Sequence, residues 1–250
     1  MKASMNALGQ LIKTELRMFL REPVAVFFTL VFPFIPLLLF GTLFGATEAD
    51  PGFRVIDVYV PALIAMVIAF LGLMGMPIAL SQHREQGVLK RFRVSPVRLW
   101  MVLGAHCAVQ LCLLVVVSVL IVVFADLIFG IKFMLHFPAF VSVALLGCLA
   151  LFTLGFALVG LCSSPRTTQA VGSALFFLML FSSGAAIPRR QFPPWLREAT
   201  DYVPLSHLVD SLTTAWLGQD MSERTGSLLV LAALAVASFV VARMSFRWEP

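Results

Sequence analysis

Polar residues divide this chain into six long apolar runs: Val24 to Phe44, Val58 to Leu80, Leu99 to Phe124, Phe137 to Cys162, Thr168 to Ile187 and Ser227 to Arg243, the last being the shortest. Crossing about 30 Å of hydrocarbon takes about 20 helical residues, so each run reads as a membrane-spanning helix. Pro33 and Pro36 fall inside the first run, where proline withholds backbone hydrogen bonds, and they predict a kink. Ahead of the spans, Leu8, Leu11, Ile12, Leu16 and Phe19 recur at three- and four-residue steps, while Lys13, Arg17 and Arg21 form a row on another face. That pattern predicts an amphipathic helix over residues 1–22 lying in the membrane interface. The expected fold class is all-α and integral to the membrane. With no internal repeat and no low-complexity linker, residues 1–250 read as a single transmembrane domain, its six spans lying within residues 24–243.

Two connections stand out from the rest. The loop over residues 81–98 carries Arg84, Lys90, Arg91, Arg93 and Arg98, five of the chain's 18 Lys and Arg residues. Short basic loops are retained in the cytoplasm during insertion, so this loop predicts its own side of the membrane. With both termini inside, twelve of the 18 basic residues are cytoplasmic and six are outside, which supports the same topology. The second connection, residues 188–226, places Leu205, Leu208, Val209, Leu212 and Trp216 on one helical stripe, with Gly218 as a C-terminal stop. Pro193 and Pro194 before Trp195 predict another short helix. Both helices are expected at the outer interface, where Trp195, Tyr202 and Trp216 suit the headgroup level, either as simple anchors or as a gate. Two steps of small residues, Gly41 with Gly45 and Ala170 with Ala174, mark helix contacts within one subunit or between two.

Composition narrows the function classes. The chain is 60% hydrophobic and 12% charged, well outside the roughly 45–50% and 25% of soluble domains. Its length accommodates about six spans and their loops. The net charge of +5 belongs to residues flanking spans, not to one basic face, so no nucleic-acid partner is expected. Cys107, Cys112, Cys148 and Cys162 all fall inside apolar runs without metal-ligand spacing and read as small buried hydrophobes. The first apolar run is span-length and lacks the short core and small-residue site of a cleavable signal. No G-x-x-x-x-G-K-[ST], G-x-S-x-G or H-E-x-x-H occurs, so neither a nucleotide site, a catalytic residue nor a bound metal or cofactor is expected in this chain. The span cores hold no Asp, Glu, Lys or Arg, and Gln110 is their strongest polar group. Ion-coupled transporters carry their coupling charge on such residues, so a path for a hydrophobic or amphipathic substrate, driven from elsewhere, fits better.

Within the basic loop, Gln82 to Phe92 has helix-compatible composition except for Gly87, and Ser95-Pro96 reads as a helix N-cap followed by proline. Topology alone accounts for the charge; the apolar Val88, Leu89 and Phe92 on a cytoplasmic loop point instead to something docking there. The pattern Arg84-Glu85-x-Gly87-x-x-Lys90-Arg91-x-x-x-Ser95-Pro96 resembles the first cytoplasmic loop of the type 2 ABC exporter permeases, the membrane subunits of drug, lipid and polysaccharide exporters. Phe192-Pro193-Pro194-Trp195-Leu196, followed by Pro204-Leu205 and Asp210, resembles the same family's motif before its last span. The chain departs from that family at Tyr202-Val203-Pro204, where an Asn-Pro is common, and at His207, where an aromatic is common.

The resemblance implies an exporter permease in the cytoplasmic membrane, closer to drug-resistance permeases than to polysaccharide ones, which pairs with a second permease subunit. A separate ABC ATPase subunit then supplies ATP, Mg and the Walker motifs. It further implies that Arg84, Glu85, Gly87, Lys90, Arg91, Ser95 and Pro96 couple the chain to that ATPase, and that Pro193, Trp195, Pro204 and Asp210 belong to an outer gate. Two other readings of the same residues are a membrane scaffold whose basic loop binds anionic lipid or a soluble partner, and a secondary transporter.

Overall fold

The amphipathic pattern at the N-terminus folds into one helix, α1 (Lys2–Arg21). Leu11, Ile12, Leu16 and Phe19 are half-buried on its inner face, while Lys13, Arg17 and Arg21 are exposed. The structure is a computed structural model that describes residues 2–50, 52–85, 99–132, 135–186, 192–193 and 198–245. After α1 the chain turns into α2 (Pro23–Phe44), whose expected kink is present. A π-turn over Phe27–Val31, in which the Phe32 N–H donates to the Phe27 carbonyl at 2.9 Å, leads to a break at Phe32 and Pro33 before helix resumes at Phe34. Neither proline has an N–H to continue the ladder, so the wider turn absorbs the mismatch.

A short antiparallel hairpin, β1 (Glu48–Asp50) with β2 (Phe53–Arg54), then reverses the chain through Gly52. Next comes α3 (Val55–Glu85), 31 residues long, with its own π-turn at Leu71–Gly75 just ahead of Pro77. It is the central helix: 72% of its most apolar stretch is buried, against 22% in α2 and 28% in α4 (Leu99–Phe129). Around it pack α5 (Phe137–Leu161), α6 (Pro165–Ser182) and α7 (Pro204–Trp216), and α8 (Thr225–Ser245) lies along α5. Alpha-helix and closed barrel are the two ways to satisfy backbone groups in hydrocarbon, and this chain uses the first.

The core centres on the π-turn of α3. Its Gly72 and Leu73 carbonyls face Gly155 of α5 and Gly172 of α6, and a Cβ at either glycine would drive into the carbonyl opposite. These two glycines let three backbones approach to contact, the role small residues play where helices cross in lipid.

Several expectations meet the structure only in part. Five helices among the described residues are long and apolar enough to cross a membrane: Pro23–Phe44, Val55–Glu85, Leu103–Phe129, Phe137–Leu161 and Met221–Ser245. The segment expected as a sixth, Thr168 to Ile187, forms α6, but this helix starts with Arg166, Thr167, Thr168 and Gln169 and stops at Ser182, which shortens its apolar part. α3 stays helical through Glu85, in keeping with the helix-compatible composition read over Gln82 to Phe92, and the rest of the basic loop lies outside the described residues. The helix before the last span packs into the bundle. The stripe of α7 is buried against α3, α5 and α8, and Trp216 is 2% exposed, its ring tilted at 53° to that of Phe140 with centroids 5.7 Å apart. Its C-terminal stop is as expected, with Gly218 at φ +69°, a conformation that favours glycine. Of the cysteines expected to be buried, Cys148 and Cys162 are, whereas Cys107 is half-buried and Cys112 exposed. Gly41 packs on the Phe129 ring, a contact inside the subunit, while Ala170 and Ala174 are exposed.

Candidate functional site

Among the described residues, each end of α3 holds a network of polar contacts. At the end leading into the basic loop, the last turn places Arg84 inward, and its side chain is almost fully buried. The guanidinium donates to the Val159 carbonyl at 2.8 Å and to the Cys162 carbonyl at 2.6 Å. Those acceptors close α5, whose final carbonyls have no partner within the helix, so Arg84 acts as the C-cap of a neighbouring helix. The next residue, Glu85, is exposed.

Beside Arg84 on the same end, α1 is fastened to the bundle. Glu15 sits on the half-buried face of α1, with one carboxylate oxygen 3.2 Å from His106 Nδ1 on α4 and the other 3.8 Å from His83 Nδ1 on α3. Burial alone would raise the pKa of this carboxyl, but the hydrogen bond from His106 and the charges of His106 and His83 outweigh it, and the net shift is downward. The other ring nitrogen of His106, Nε2, lies 3.4 Å from the Gln110 amide. These groups line one side of a cleft of about 490 Å³ bounded by α1, α2, α3, α4 and α6. The lining is also aromatic, with Phe28 against Phe32 at 5.5 Å, Phe28 against Phe70 at 6.4 Å and Phe70 against Phe176 at 5.6 Å.

At the hairpin end, Asp57 is fully buried and receives the Arg54 backbone N–H at 2.8 Å, the Arg54 guanidinium at 3.1 Å and the Lys132 backbone N–H at 2.8 Å. Arg54 in turn donates to the Phe129 carbonyl at 3.1 Å and the Gly130 carbonyl at 2.6 Å, capping α4. The same end carries α7, where Pro204 opens the helix and Asp210 lies half-buried with its carbonyl accepting from Thr214. His207 ties α7 to its surroundings, through Ser227 at 3.1 Å and the Asp201 carbonyl at 2.9 Å.

Residues 6–217 match the family model of the ABC-2 type transporters, most of the chain. The chain belongs to the ABC-2 type transporter family. It is 26% identical over 153 residues to a probable multidrug ABC transporter permease of Escherichia coli, a match covering 60% of this chain and 41% of that protein. It is also 26% identical over 227 residues to a daunorubicin resistance ABC transporter permease protein of Streptomyces coeruleorubidus, covering 87% of this chain and 77% of that one. The chain therefore aligns with less than half the length of its Escherichia coli relative.

In this ABC-2 chain, the residues singled out by sequence fall into three groups. Arg84 and Glu85 lie together at the end of α3, one turned in and one turned out. Gly87, Lys90, Arg91, Ser95 and Pro96, and Trp195 with the short helix expected around it, lie outside the described residues. Pro193 is exposed, and Pro204 and Asp210 are on α7, which packs against α3, α5 and α8. Sequence reasoning missed Glu15, His83 and His106, and the Arg54 and Asp57 pair. The signals were there: Glu15 interrupts the apolar stripe of α1, and an Arg three residues before an Asp at the start of a helix is a reciprocal capping pattern.

Proposed function

We propose that the chain is the membrane-spanning permease subunit of an ATP-driven exporter, moving a hydrophobic or amphipathic substrate out of the cytoplasm with a separate ABC ATPase subunit. Family membership carries this reading, and the Arg84 contact supports it. A partner that pushes on the loop after Glu85 moves the end of α3, and through Arg84 the end of α5, toward or away from the cleft. On this reading α6 completes a set of six spans, both termini are cytoplasmic, and the loop end faces the cytoplasm of the inner membrane. α1 then lies along the inner interface, and α7 belongs to the outer gate. Glu85, with Gly87, Lys90, Arg91, Ser95 and Pro96, forms the surface that meets the ATPase, and ATP and Mg bind in that partner.

A second permease subunit completes the path. The exposed small-residue step at Ala170 and Ala174 supports a close helix contact there. The test is to co-express the chain with its ATPase, reconstitute the complex into vesicles and follow uptake of an amphipathic dye with ATP hydrolysis. Uptake that requires ATP and falls with Glu85→Ala and Arg91→Ala is the expected result. Failure of any ATPase to co-purify favours a scaffold, and uptake abolished by collapsing ion gradients at constant ATP favours a secondary transporter.

A further inference from the structure

α1 carries a row of cations that the described part of the fold leaves unpaired. Lys13, Arg17 and Arg21 are exposed, and among the described residues no carboxylate lies within salt-bridge distance of any of them. Each four-residue step turns the helix by about 40°, so the three charges share one face and span about 12 Å along it. The one carboxylate within α1, Glu15, is on the packed side, 3.2 Å from His106 Nδ1 and 3.8 Å from His83 Nδ1. Glu22, which follows Arg21, is exposed and borders the cleft. Folding thus sorts α1 into a packed face that holds its acid and an outer face of one sign.

The neighbours of the row say which partner it fits. Met18 and Leu20 lie at its two edges, both exposed, Leu20 by 58%. Two residues past Arg21 the chain enters α2, whose first turns expose Val24 by 68% and also expose Phe27 and Phe28. These apolar side chains need a partner that is apolar as well as anionic. A bilayer takes them at its acyl boundary, while the Lys and Arg stems lie along hydrocarbon and carry their charges up to the phosphates. A neutral leaflet accommodates the apolar side chains equally well, but only an anionic one compensates three unpaired cations, each of which adds to the attraction.

Resting on the reading that lays α1 along the inner interface, we propose that the Lys13, Arg17 and Arg21 face binds the anionic phospholipids of that leaflet, with Met18 and Leu20 seated at the acyl boundary. Zwitterionic lipid leaves the row unpaired, and α1 is then held by its packed face alone.

The test is hydrogen exchange of the α1 amides, read by mass spectrometry on the full chain without nucleotide, in nanodiscs of phosphatidylcholine alone or with about one third phosphatidylglycerol. Phosphatidylglycerol is expected to slow α1 exchange about tenfold, and about 0.5 M salt to reverse most of that, since exposed charges are then screened within a few ångströms. Replacing Lys13, Arg17 and Arg21 together by Gln removes the lipid dependence and leaves exchange in phosphatidylcholine unchanged, whereas Arg17→Lys with Arg21→Lys, which conserves charge, keeps it. Equal exchange of the wild-type chain in the two lipids overturns the proposal without any variant, and so does slowing that the triple Gln variant retains. A triple variant that keeps its lipid dependence and loses co-purification of the ATPase marks the row as a protein-binding face, which also overturns it. Because exchange is read without ATP, an α1 that answers to anionic lipid in a chain that never couples to an ATPase defeats the exporter reading alone. A coupled exporter whose α1 ignores leaflet charge defeats this inference alone.

Discussion

Both ends of α3 end in an arginine that caps a neighbouring helix, yet the two are balanced in different ways. At the hairpin end Arg54 reaches the last carbonyls of α4 and is paired with the buried Asp57, which also takes a backbone N–H from Lys132. At the loop end Arg84 reaches the last carbonyls of α5, and among the described residues no carboxylate lies within salt-bridge distance of it. The first arrangement is a closed network in which every member depends on the others. The second is one charged donor on two neutral acceptors, which can be released without stranding an opposite charge. The central helix is thus pinned at one end and latched at the other, and the latch lies where the motif of the basic loop begins.

The largest effect is expected at the pinned end. Arg54→Ala leaves the buried Asp57 carboxylate without its cation and should cost about 3–5 kcal/mol in denaturant unfolding of the purified protein, whereas replacing Arg54 and Asp57 together with Met and Leu should recover most of that loss. A double variant no better than Arg54→Ala alone would remove the distinction between the two ends. At the latched end Arg84→Met should cost about 2–4 kcal/mol for two charge-assisted hydrogen bonds, with faster hydrogen exchange confined to the last turns of α3 and α5. Exchange rising equally at the hairpin end would mean that Arg84 is part of one global network.

Between the two ends, Gly155→Ala pushes a Cβ into the Gly72 carbonyl at the crossing of α3 and α5, and should cost about 1–3 kcal/mol in the same unfolding assay. An unchanged unfolding curve would show that the crossing is looser than its geometry implies. The smallest effect concerns α1. The Glu15 carboxyl is shifted below its ordinary value of 4.5, so its stabilising contacts are complete above that value and are lost only as pH falls below it. Protease cleavage of α1 should therefore rise as pH falls below about 4.5, and Glu15→Gln should remove that rise. Cleavage of the wild-type chain that rises already between pH 7 and 6 would point to the histidines instead.

How far the sequence could be read follows the same division. Span positions were legible because a run of apolar residues long enough to cross hydrocarbon leaves little else for the chain to do, and α5 runs over Phe137–Leu161 where Phe137 to Cys162 was expected. The kink of α2 and the glycine end of α7 were equally legible, since proline and glycine act through their own backbones. What could not be read was whatever depends on which helix lies next to which. The apolar stripe of α7 looks the same whether it faces lipid or protein, and only packing against α3, α5 and α8 decides for protein. Arg84 looked like one more cation in a basic loop, and its turn toward Val159 is set by a contact 75 residues away in sequence. The end of α6 at Ser182 was not legible either, because the apolar pattern runs on to Ile187.

The central claim is that motion of the loop end is what links a partner ATPase to the transport path. It is tested most directly by the ratio of substrate moved to ATP hydrolysed in vesicles holding the permease with its ATPase, compared between the wild-type chain and Arg84→Met. The account predicts that the ratio falls by about tenfold or more, because the latch between α3 and α5 contributes on the order of the 1.4 kcal/mol that a tenfold change requires. A ratio unchanged from wild type, in a complex that still hydrolyses ATP and moves substrate, would contradict it.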